Sequence, residues 1–452
     1  MARGDNRSTA GRPAAPARGG LLSGSADVVA PRLVLIVAVS ALTVLGLVMV
    51  YSSSTIEAMS EGSSPTSYVT KQAAITLVSI AMCAFIARFV PYYIWLEHRW
   101  LNAFWMVIML LLLGTALVGV VGLGAKRWIV IGPVNFQPSE FAKVAIVMMM
   151  ARLLADYRNG EYSFEQFALR IGVLVVLPVG IILALQSDLG TTIICAVGIL
   201  GVLWIGEVPV RLFFAIVIVV GLLGIVAIAL AGYRGSRFAF LNPYADPYGS
   251  GYQIIHSFYA FGEGGLFGVG LGNSREKYLY LPEAETDFIF AIIGEEMGFA
   301  GAVFVIILFS AVLYAGLKIA RNAPDLFGAM IAGGCTLMLV FQAFLNIGCV
   351  IGVFPTTGKP LPFISSGGSA MIGAYLLVGI VLSVSLASGD DSGVYDQRRV
   401  NLRVVRAERG SLDEPPRRSS SRTRPQPMSG APARSSLPRR STQPNRSSRR
   451  YR

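Results

Sequence analysis

Histidine is almost absent from this sequence, and so are the short signatures of several common enzyme classes. His98 and His256 are the only two histidines among 452 residues. No GxSxG, HExxH or Walker-loop pattern occurs. Catalytic triads and histidine-rich metal sites both depend on such residues, so the sequence argues against both.

Cysteine is also scarce, and its four copies do not follow the spacing of a metal site. They lie inside or beside apolar runs without a CxxC pair, at Cys83, Cys195, Cys335 and Cys349. A free cysteine in apolar sequence behaves as a small hydrophobic residue. We therefore interpret all four as packing residues and expect neither a disulfide framework nor cysteine-bound metal.

Charge is the third scarce feature. Charged residues make up 14% of the chain and hydrophobic residues 54%, with a mean hydropathy of +0.61. An average soluble domain has about 25% charged residues. The composition therefore predicts a protein that lies in a lipid bilayer.

The net charge of +12 is concentrated at the two ends of the chain. Residues 389–452 hold 16 arginines and 6 acidic residues, and residues 1–32 hold 5 arginines and 2 acidic residues. Residues 33–388 are nearly neutral, with 17 basic and 18 acidic residues. Both ends are predicted to be disordered tails. Because they lack interleaved aromatic residues, we expect them to contact anionic membrane lipids or a cytoplasmic partner, and no nucleic acid.

Ten apolar runs fill the middle of the chain, most of them long enough to cross a hydrocarbon core of about 30 Å. Ten spans place both termini on one side, and the arginines assign that side to the cytoplasm. The predicted fold is an all-α polytopic membrane protein with about ten transmembrane helices in one domain, residues 33–388. A large external loop is predicted at 232–286. The predicted spans are 33–52, 72–90, 101–122, 140–155, 169–185, 190–206, 211–231, 287–317, 326–353 and 363–387.

Unusual polar residues gather in four stretches toward the predicted external side. The first is KRWIVIGPVNFQPSEFAK at 126–143, in which Pro138 pre-sets the start of a helix. Glu140 and Lys143 then share one helical face at i,i+3. On spacing alone, the segment is either functional or an interfacial anchor, with Trp128 in the aromatic belt and the charged pair solvated.

Two further stretches place single charges between apolar runs. In LQSDLGTT, Asp188 either forms a tight external turn or faces a wet cavity. In FPTTGKPLPFISSGGSA, Lys359 lies in a predicted external loop and the Ser/Gly cluster of residues 365–369 opens the last helix. Their hydroxyls and amides form either an anion site at a helix N-terminus or a set of small residues that permits close helix packing.

The remaining stretch, SREKYLYLPEAETDFIFAIIGEE, crowds five carboxylates around an apolar run. Asp287 is predicted to lie in the first turn of a helix, where the helix dipole stabilises an anion by about 0.3–1 kcal/mol. Its neighbours Glu283 and Glu285 would repel it unless a cation or a proton intervenes. Glu295 and Glu296 lie about two turns deeper and are interpreted as structural.

Four segments resemble, in order and spacing, the signature segments of the SEDS family of bacterial cell-wall polymerases. They are RWIVIGPVNFQPSEFAK, QSDLGTT, GLGNSREKYLYLPEAETDFIFAIIGEEMG and NIGCVIGVFPTTGKPLPFISSGGSA. The resemblance covers roughly residues 33–388 and leaves out both tails. The third segment is more similar to the division-type members of the family than to the elongation-type members.

The resemblance implies a ten-helix glycosyltransferase that polymerises lipid II at the outer face of the bacterial cytoplasmic membrane during septal wall synthesis. The implied partners are a class B penicillin-binding transpeptidase and other division proteins. The family's essential aspartate falls on Asp287, which we expect to act as general base. The expected substrate-binding residues are Arg127, Trp128, Gln137, Glu140, Lys143, Gln186, Asp188, Glu283, Lys359, Ser365 and Ser369.

The chain departs from the family pattern at two positions. Glu285 stands where the family usually has histidine, and Ser366 stands where it often has tyrosine. We expect Glu285 either to raise the proton affinity of Asp287 or to help hold a divalent cation, Mg²⁺ or Mn²⁺, together with Asp287 and Glu283. No organic cofactor is expected.

Three alternative functions fit parts of the same sequence. A lipid II flippase would also need many helices and a charged cavity, but it should carry charge through the midplane and on the cytoplasmic side. An elongation-type polymerase would share the chemistry and differ in its partner. A noncatalytic division scaffold would explain the tails but not the polar external stretches.

Overall fold

The computed structural model describes residues 20–122, 125–131, 134–230 and 240–388, all within one compact unit. The predicted tail at 389–452 and residues 1–19 of the other tail lie outside this range. Short 3₁₀ turns occur at Tyr92–Leu96 and Pro243–Ala245, and a π-helical stretch occupies Gly172–Val176. The helices are α1 (Ala26–Ser60), α2 (Ser67–Phe89), α3 (His98–Val118), α4 (Pro138–Arg158), α5 (Phe164–Ile171), α6 (Leu177–Ala184), α7 (Leu189–Ile205), α8 (Val210–Leu230), α9 (Tyr252–Gly264), α10 (Ile289–Glu296), α11 (Gly298–Arg321), α12 (Leu326–Val350) and α13 (Gly368–Ala387).

Each of the ten predicted spans overlaps helical structure, which confirms a polytopic helical membrane protein. Seven helical segments among the described residues are long and apolar enough to cross a bilayer by themselves: α1, α2, α3, the α5–α6 segment, α11, α12 and α13. The apolar helix α7 is shorter. Helix α4 is long enough but carries charge at both ends and lies almost wholly inside the protein. The number ten itself stays a prediction.

The N-terminal tail is shorter than predicted, because α1 begins at Ala26. Residues 26–32 are therefore helical and not part of a disordered tail. Arg32 is buried, and its Nη2 donates to the carbonyl oxygen of Ser385 at 2.7 Å. Its Nη1 donates to the carbonyl oxygen of Leu21, also at 2.7 Å. Carbonyl oxygens satisfy this guanidinium, and Ser385 lies in the last turn of α13, where the helix dipole favours a cation.

The expected all-α fold needs one correction between α3 and α4. An antiparallel sheet forms there from β1 (Val120–Gly122), β2 (Ala125–Ile131) and β3 (Val134–Phe136). Trp128 pairs with Val120, and Ile129 pairs with Phe136. The segment is rich in β-branched and aromatic residues, which favour strands. The last residues of the predicted span 101–122 therefore form strand β1 and not helix.

The predicted span 287–317 is broken into two helices. Helix α10 ends at Glu296 and α11 begins at Gly298, whose φ of +67° is a left-handed conformation that favours glycine. Helix α10 is entirely buried, and α9 from the predicted external loop packs against it. The break places Asp287 in the loop before a short internal helix instead of at the end of a transmembrane span.

Glu295 and Glu296 hold the preceding loop against α10, as their interpretation as structural residues requires. Glu296 accepts hydrogen bonds from Ser52 Oγ at 2.6 and 2.8 Å and pairs with Lys277 Nζ at 3.2 Å. Glu295 accepts a 2.5 Å hydrogen bond from Ser274 Oγ. Both glutamates are fully buried, so these partners supply the hydrogen bonds that burial requires.

Helices α4 and α12 form the interior around which the others pack. Helix α12 contacts α4, α7, α10, α11 and α13, and most of its residues are buried. Apart from the exposed Arg158 at the end of α4, the charged residues of these two helices therefore face other protein segments and not lipid. Such residues are costly unless they are paired, which makes them candidates for a functional site.

Gly46 on α1 generates a prediction about packing. A Cβ atom here would overlap the carbonyl oxygen of Phe363 and lie 2.7 Å from Ile364 Cα. We expect Gly46→Ala to lower the thermal unfolding midpoint in detergent micelles, because overpacking costs about 1–3 kcal/mol. The control is Gly114→Ala on α3, where no atom lies within 4 Å. Equal midpoints for the two variants would contradict the close approach.

Candidate active site

A buried lysine between two carboxylates lies at the centre of the polar interior. Lys359 Nζ is 2.8 Å from Asp188 Oδ2 and 3.6 Å from Glu140 Oε1, and all three side chains are at most 1% exposed. Glu140 also pairs with Lys143 at 2.7 Å. Burial lowers the pKa of Lys359, but the two carboxylates outweigh it and raise that pKa above its usual value. The solvated interfacial anchor proposed for Glu140 and Lys143 is therefore wrong, whereas their shared helical face is confirmed.

Asp188 caps α7 and belongs to this ionic network. Its carboxylate accepts hydrogen bonds from the Thr191 backbone N–H at 3.0 Å and from Thr191 Oγ1 at 2.8 Å. Burial acts to raise the pKa of Asp188, but the charges of Lys359 and Arg127 and these hydrogen bonds lower it to about 2. The turn at this residue is confirmed, and its carboxylate faces the polar interior; a wet cavity beside it stays a prediction.

Arg127 and Gln137 connect the sheet region to the same network. Arg127 donates from Nε to the Gln186 carbonyl oxygen at 3.0 Å and from Nη2 to the Ser187 carbonyl oxygen at 2.6 Å. Gln137, the N-cap residue before Pro138, donates from Nε2 to Asp188 Oδ2 at 3.3 Å. These contacts fix the turn that carries Asp188.

Two predicted site residues lie apart from the ionic network. The side chain of Gln186 is fully buried and donates to the carbonyl oxygen of Leu112 at 3.3 Å, so it faces α3. Trp128 lies half-buried on β2 and makes none of the hydrogen bonds described above. The structure therefore brings together Arg127, Gln137, Glu140, Lys143, Asp188 and Lys359.

Asp287 lies beside the loop that contains Lys359. It precedes Phe288, the N-cap residue of α10, so its predicted place in the first helical turn is wrong. Its side chain is half-buried. At Gly358, a Cβ atom would lie 3.5 Å from Asp287 Oδ2, so this glycine borders the carboxylate. Burial and the charge of Glu283 raise the pKa of Asp287 to about 7, although Lys359 and Arg127 act to lower it.

The side chains of Glu283 and Glu285 each bind a partner other than Asp287. Glu283 is exposed and accepts a 2.6 Å hydrogen bond from Thr286 Oγ1. Glu285 is 5% exposed, and burial with a hydrogen bond to Glu57 of α1 raises its pKa to about 8. Glu283, not Glu285, is thus the neighbour that raises the proton affinity of Asp287. The three carboxylates of this predicted metal site do not form a three-ligand cluster in the part of the chain described here.

Ser365, before α13, and Ser369, in its first turn, bind backbone groups of the surrounding loops. Ser365 Oγ donates to the Thr286 carbonyl oxygen at 2.6 Å and accepts from the Leu361 N–H at 2.8 Å. Ser369 Oγ accepts from the Gln137 N–H at 3.0 Å and donates to the Asn135 carbonyl oxygen at 3.1 Å. These hydroxyls hold the last loop against the two segments that carry Asp287 and Glu140.

Two amides on α12 were missed by the sequence analysis. Asn346 Nδ2 donates to the carbonyl oxygens of both Asp287 and Lys359 at 2.8 Å. Gln342 accepts from Lys143 Nζ at 2.6 Å and donates to the Pro360 carbonyl oxygen at 3.1 Å. A signal was present, since two amides four residues apart in an apolar span share one helical face.

Backbone strain occurs in three loops of this site. Among the described non-glycine residues, positive φ angles include those of Ser187 at 50°, Glu283 at 58° and Phe363 at 67°. Each lies in a loop that carries a site residue. Such conformations cost of order 1–3 kcal/mol and persist where the surrounding structure holds them, which is common at active sites.

Comparison with known proteins identifies the family. A family model described as "Cell cycle protein", for FtsW, RodA and SpoVE, matches residues 32–389. The chain belongs to this family. It is 38% identical over 371 residues to stage V sporulation protein E of Bacillus subtilis (strain 168), covering 78% of this chain and 97% of the relative.

Two more similarities bear on the enzyme class and the fold. The chain is 38% identical over 360 residues to the probable peptidoglycan glycosyltransferase FtsW of Hydrogenovibrio crunogenus, covering 78% of this chain and 90% of the relative. A solved structure described as "Structural coordination of polymerization and crosslinking by a peptidoglycan synthase complex" matches with a TM-score of 0.62 and 29% identity, covering 79% of this chain and 98% of that chain. The predicted family, membrane fold and glycosyltransferase class are thereby confirmed.

The amide of Asn346 generates a prediction about activity. Asn346→Ala removes both 2.8 Å hydrogen bonds that tie the Asp287 loop to the Lys359 loop. Because a misplacement of about 1 Å costs up to about 100-fold in rate, we expect kcat for glycan synthesis to fall about 10- to 100-fold with little change in KM. The control is Asn322→Ala, which removes one 2.9 Å side-chain bond to the Asp27 carbonyl oxygen. A wild-type kcat for Asn346→Ala would show that the loops hold their positions without it.

Proposed function

We propose that this protein polymerises lipid II into glycan strands and that Asp287 is the general base. The observation that carries the proposal is the half-buried Asp287 carboxylate, with its pKa raised to about 7, beside the loop of the buried cation Lys359. A base with a pKa near the working pH is well suited to accept a proton in the transition state.

The proposed step is a single displacement at the anomeric carbon of the donor sugar. The Asp287 carboxylate takes the proton of the acceptor 4-hydroxyl, and the freed oxygen electron pair forms the new glycosidic bond. The bond to the pyrophosphate breaks with inversion, and undecaprenyl pyrophosphate leaves with that electron pair. A pyrophosphate leaves without the acid assistance that a plain glycoside needs, so one carboxylate is sufficient.

Negative charge that develops on the pyrophosphate requires a cation or donor groups. Of the three candidate cations, Lys143 and Lys359 are buried and paired with carboxylates. Arg127 is only half-buried, and its guanidinium makes the hydrogen bonds to the turn at 186–187. Arg127 is therefore the best placed of the three to meet the leaving group.

Mg²⁺ or Mn²⁺ remains our expectation for the cofactor, since divalent cations commonly accompany a pyrophosphate leaving group. However, the Glu283 carboxylate is hydrogen-bonded to Thr286, and the Glu285 carboxylate is hydrogen-bonded to Glu57. Neither glutamate is therefore placed to bind the same metal ion as Asp287. The proposed displacement therefore uses Asp287 as a base and not as part of a three-carboxylate metal site.

The proposed setting is the division septum, with both termini in the cytoplasm and the site on the outer side. The arginine-rich ends support this orientation. A class B penicillin-binding transpeptidase is the proposed partner, because the similar solved structure is described as one of polymerization and crosslinking. Crosslinking is the step that a glycan polymerase leaves to another enzyme.

Substitution of Asp287 tests the base assignment and separates a polymerase from a flippase or a scaffold. We expect purified Asp287→Asn and Asp287→Ala, each supplied with its transpeptidase partner, to make no measurable glycan from lipid II, since general-base removal costs about 100- to 10,000-fold. The control is Asp246→Asn, an exposed aspartate in the same external segment. Wild-type synthesis by either Asp287 variant would refute the assignment.

The raised pKa of Asp287 sets the pH dependence of the reaction. The base must be deprotonated, so the rate should rise with pH, reach half its plateau near pH 7, and fall about tenfold per unit well below that. An aspartate with an unshifted pKa would place the half-maximal rate near pH 4. The measurement is kcat/KM for glycan synthesis from pH 5 to 9. The control variant Glu285→Gln should show the same rise in rate with pH, because Glu285 is hydrogen-bonded to Glu57 and not to Asp287. A rate that is constant between pH 5.5 and 8 would contradict the prediction.

A further inference from the structure

A second polar site lies at the other end of α4 from Glu140. Arg152 and Asp156, near the C-terminal end of this helix, border a cavity of about 200 Å³ that is also lined by His98, Tyr162 and Arg170. Glu140 and Asp156 are sixteen residues apart, which corresponds to about 24 Å at 1.5 Å per residue. The cavity is therefore separate from the candidate active site.

Three potential metal ligands lie close together at this end of α4, and two of them, His98 and Asp156, line the cavity. His98 is the first residue of α3, Asp156 lies in the last turn of α4, and Glu161 follows α4. One ligand atom from each lies within 4.8 Å of the others. No other group of three or more His, Cys, Asp or Glu side chains meets this distance among the described residues.

The turn that ends α4 places the backbone of Glu161 beside that of Asp156. The Glu161 N–H donates to the Asp156 carbonyl oxygen at 3.0 Å, and the Gly160 N–H donates to the Tyr157 carbonyl oxygen at 3.0 Å. With Gly160 at φ +80°, this is a Schellman termination. The turn is thus built by regular hydrogen bonds, and Glu161 is held two residues beyond the C-cap residue Asn159.

The carboxylate of Asp156 is oriented by neighbours that leave one oxygen available. Arg152 Nε donates to Oδ2 at 3.2 Å, and Tyr162 O–H donates to the same oxygen at 3.3 Å. Within the described part of the chain, no hydrogen bond reaches Oδ1. Arg170 lies 4.2 Å from the centre of the Tyr162 ring and holds that tyrosine in place. Such outer contacts are typical of ligating carboxylates.

We propose that His98, Asp156 and Glu161 bind one divalent transition-metal ion, with Zn²⁺ the best match. One imidazole and two carboxylates are ligands that Zn²⁺ accepts, and three protein ligands leave a fourth position for water from the cavity. The bound ion would join the start of α3 to the end of α4. Arg152 shares the charge of Asp156, so we expect affinity below that of a cysteine-rich structural zinc site.

The experiment is calorimetric titration of tag-free, full-length protein in detergent with ZnCl₂, and with MnCl₂ and MgCl₂ as comparison ions. We expect about one Zn²⁺ per chain and a higher thermal unfolding midpoint with Zn²⁺. His98→Gln, Asp156→Asn and Glu161→Gln should each weaken binding at least about tenfold. They should also lose the Zn²⁺-dependent rise in the unfolding midpoint.

Two matched variants serve as controls. Glu165→Gln removes an exposed carboxylate four residues from Glu161, and His256→Gln removes the other histidine, which pairs with Glu276 at 2.7 Å. Both should bind Zn²⁺ like the wild type. The proposal fails if the wild type binds no Zn²⁺, or if a metal-free ligand variant with a wild-type unfolding midpoint still binds it normally. If His256→Gln lost Zn²⁺ binding while the three ligand variants kept it, the ion would bind at His256 and the proposal would be refuted.

Discussion

The buried ion pair between Lys359 and Asp188 is the constraint on which the polar interior depends. An ammonium and a carboxylate removed from water are tolerated only when they are paired and hydrogen-bonded. Lys359 hydrogen-bonds Asp188 and lies 3.6 Å from Glu140, so the last loop must lie against both α4 and α7. Removal of the lysine would leave two carboxylates facing each other without their shared cation. The ion pair thus determines the position of the loop that borders Asp287.

Helix α12 links this ion pair to the proposed base through two side-chain amides. Gln342 holds Lys143 and the Pro360 carbonyl, while Asn346 holds the carbonyls of Lys359 and Asp287. An amide both donates and accepts without carrying charge, so it can bind a lysine at one position and backbone oxygens at the next. One rigid helix face therefore aligns three segments that are distant in sequence.

Local features of the site could be predicted from the sequence, whereas its distant pairings could not. Pro138 begins α4 as expected, and the i,i+3 spacing of Glu140 and Lys143 gives a real ion pair. The pairing of Lys359 with Asp188 joins residues 171 positions apart, and no local pattern specifies it. The place of Asp287 was missed because sequence fixes a helix start only to within a residue or two, and α10 begins at Ile289. The sheet at 120–136 was missed because β-branched apolar residues suit a span and a strand equally.

The contact between Arg32 and Ser385 has a consequence for the order in which the chain is completed. The guanidinium near the start of the first helix receives its carbonyl partner from the last turn of the final helix. Until ribosomal synthesis has passed Ser385, Arg32 lacks that partner. Lys359, Ser365 and Ser369 are also made late, so no truncated chain ending before α13 contains a complete polar interior. Assembly of the site therefore coincides with insertion of the final helix.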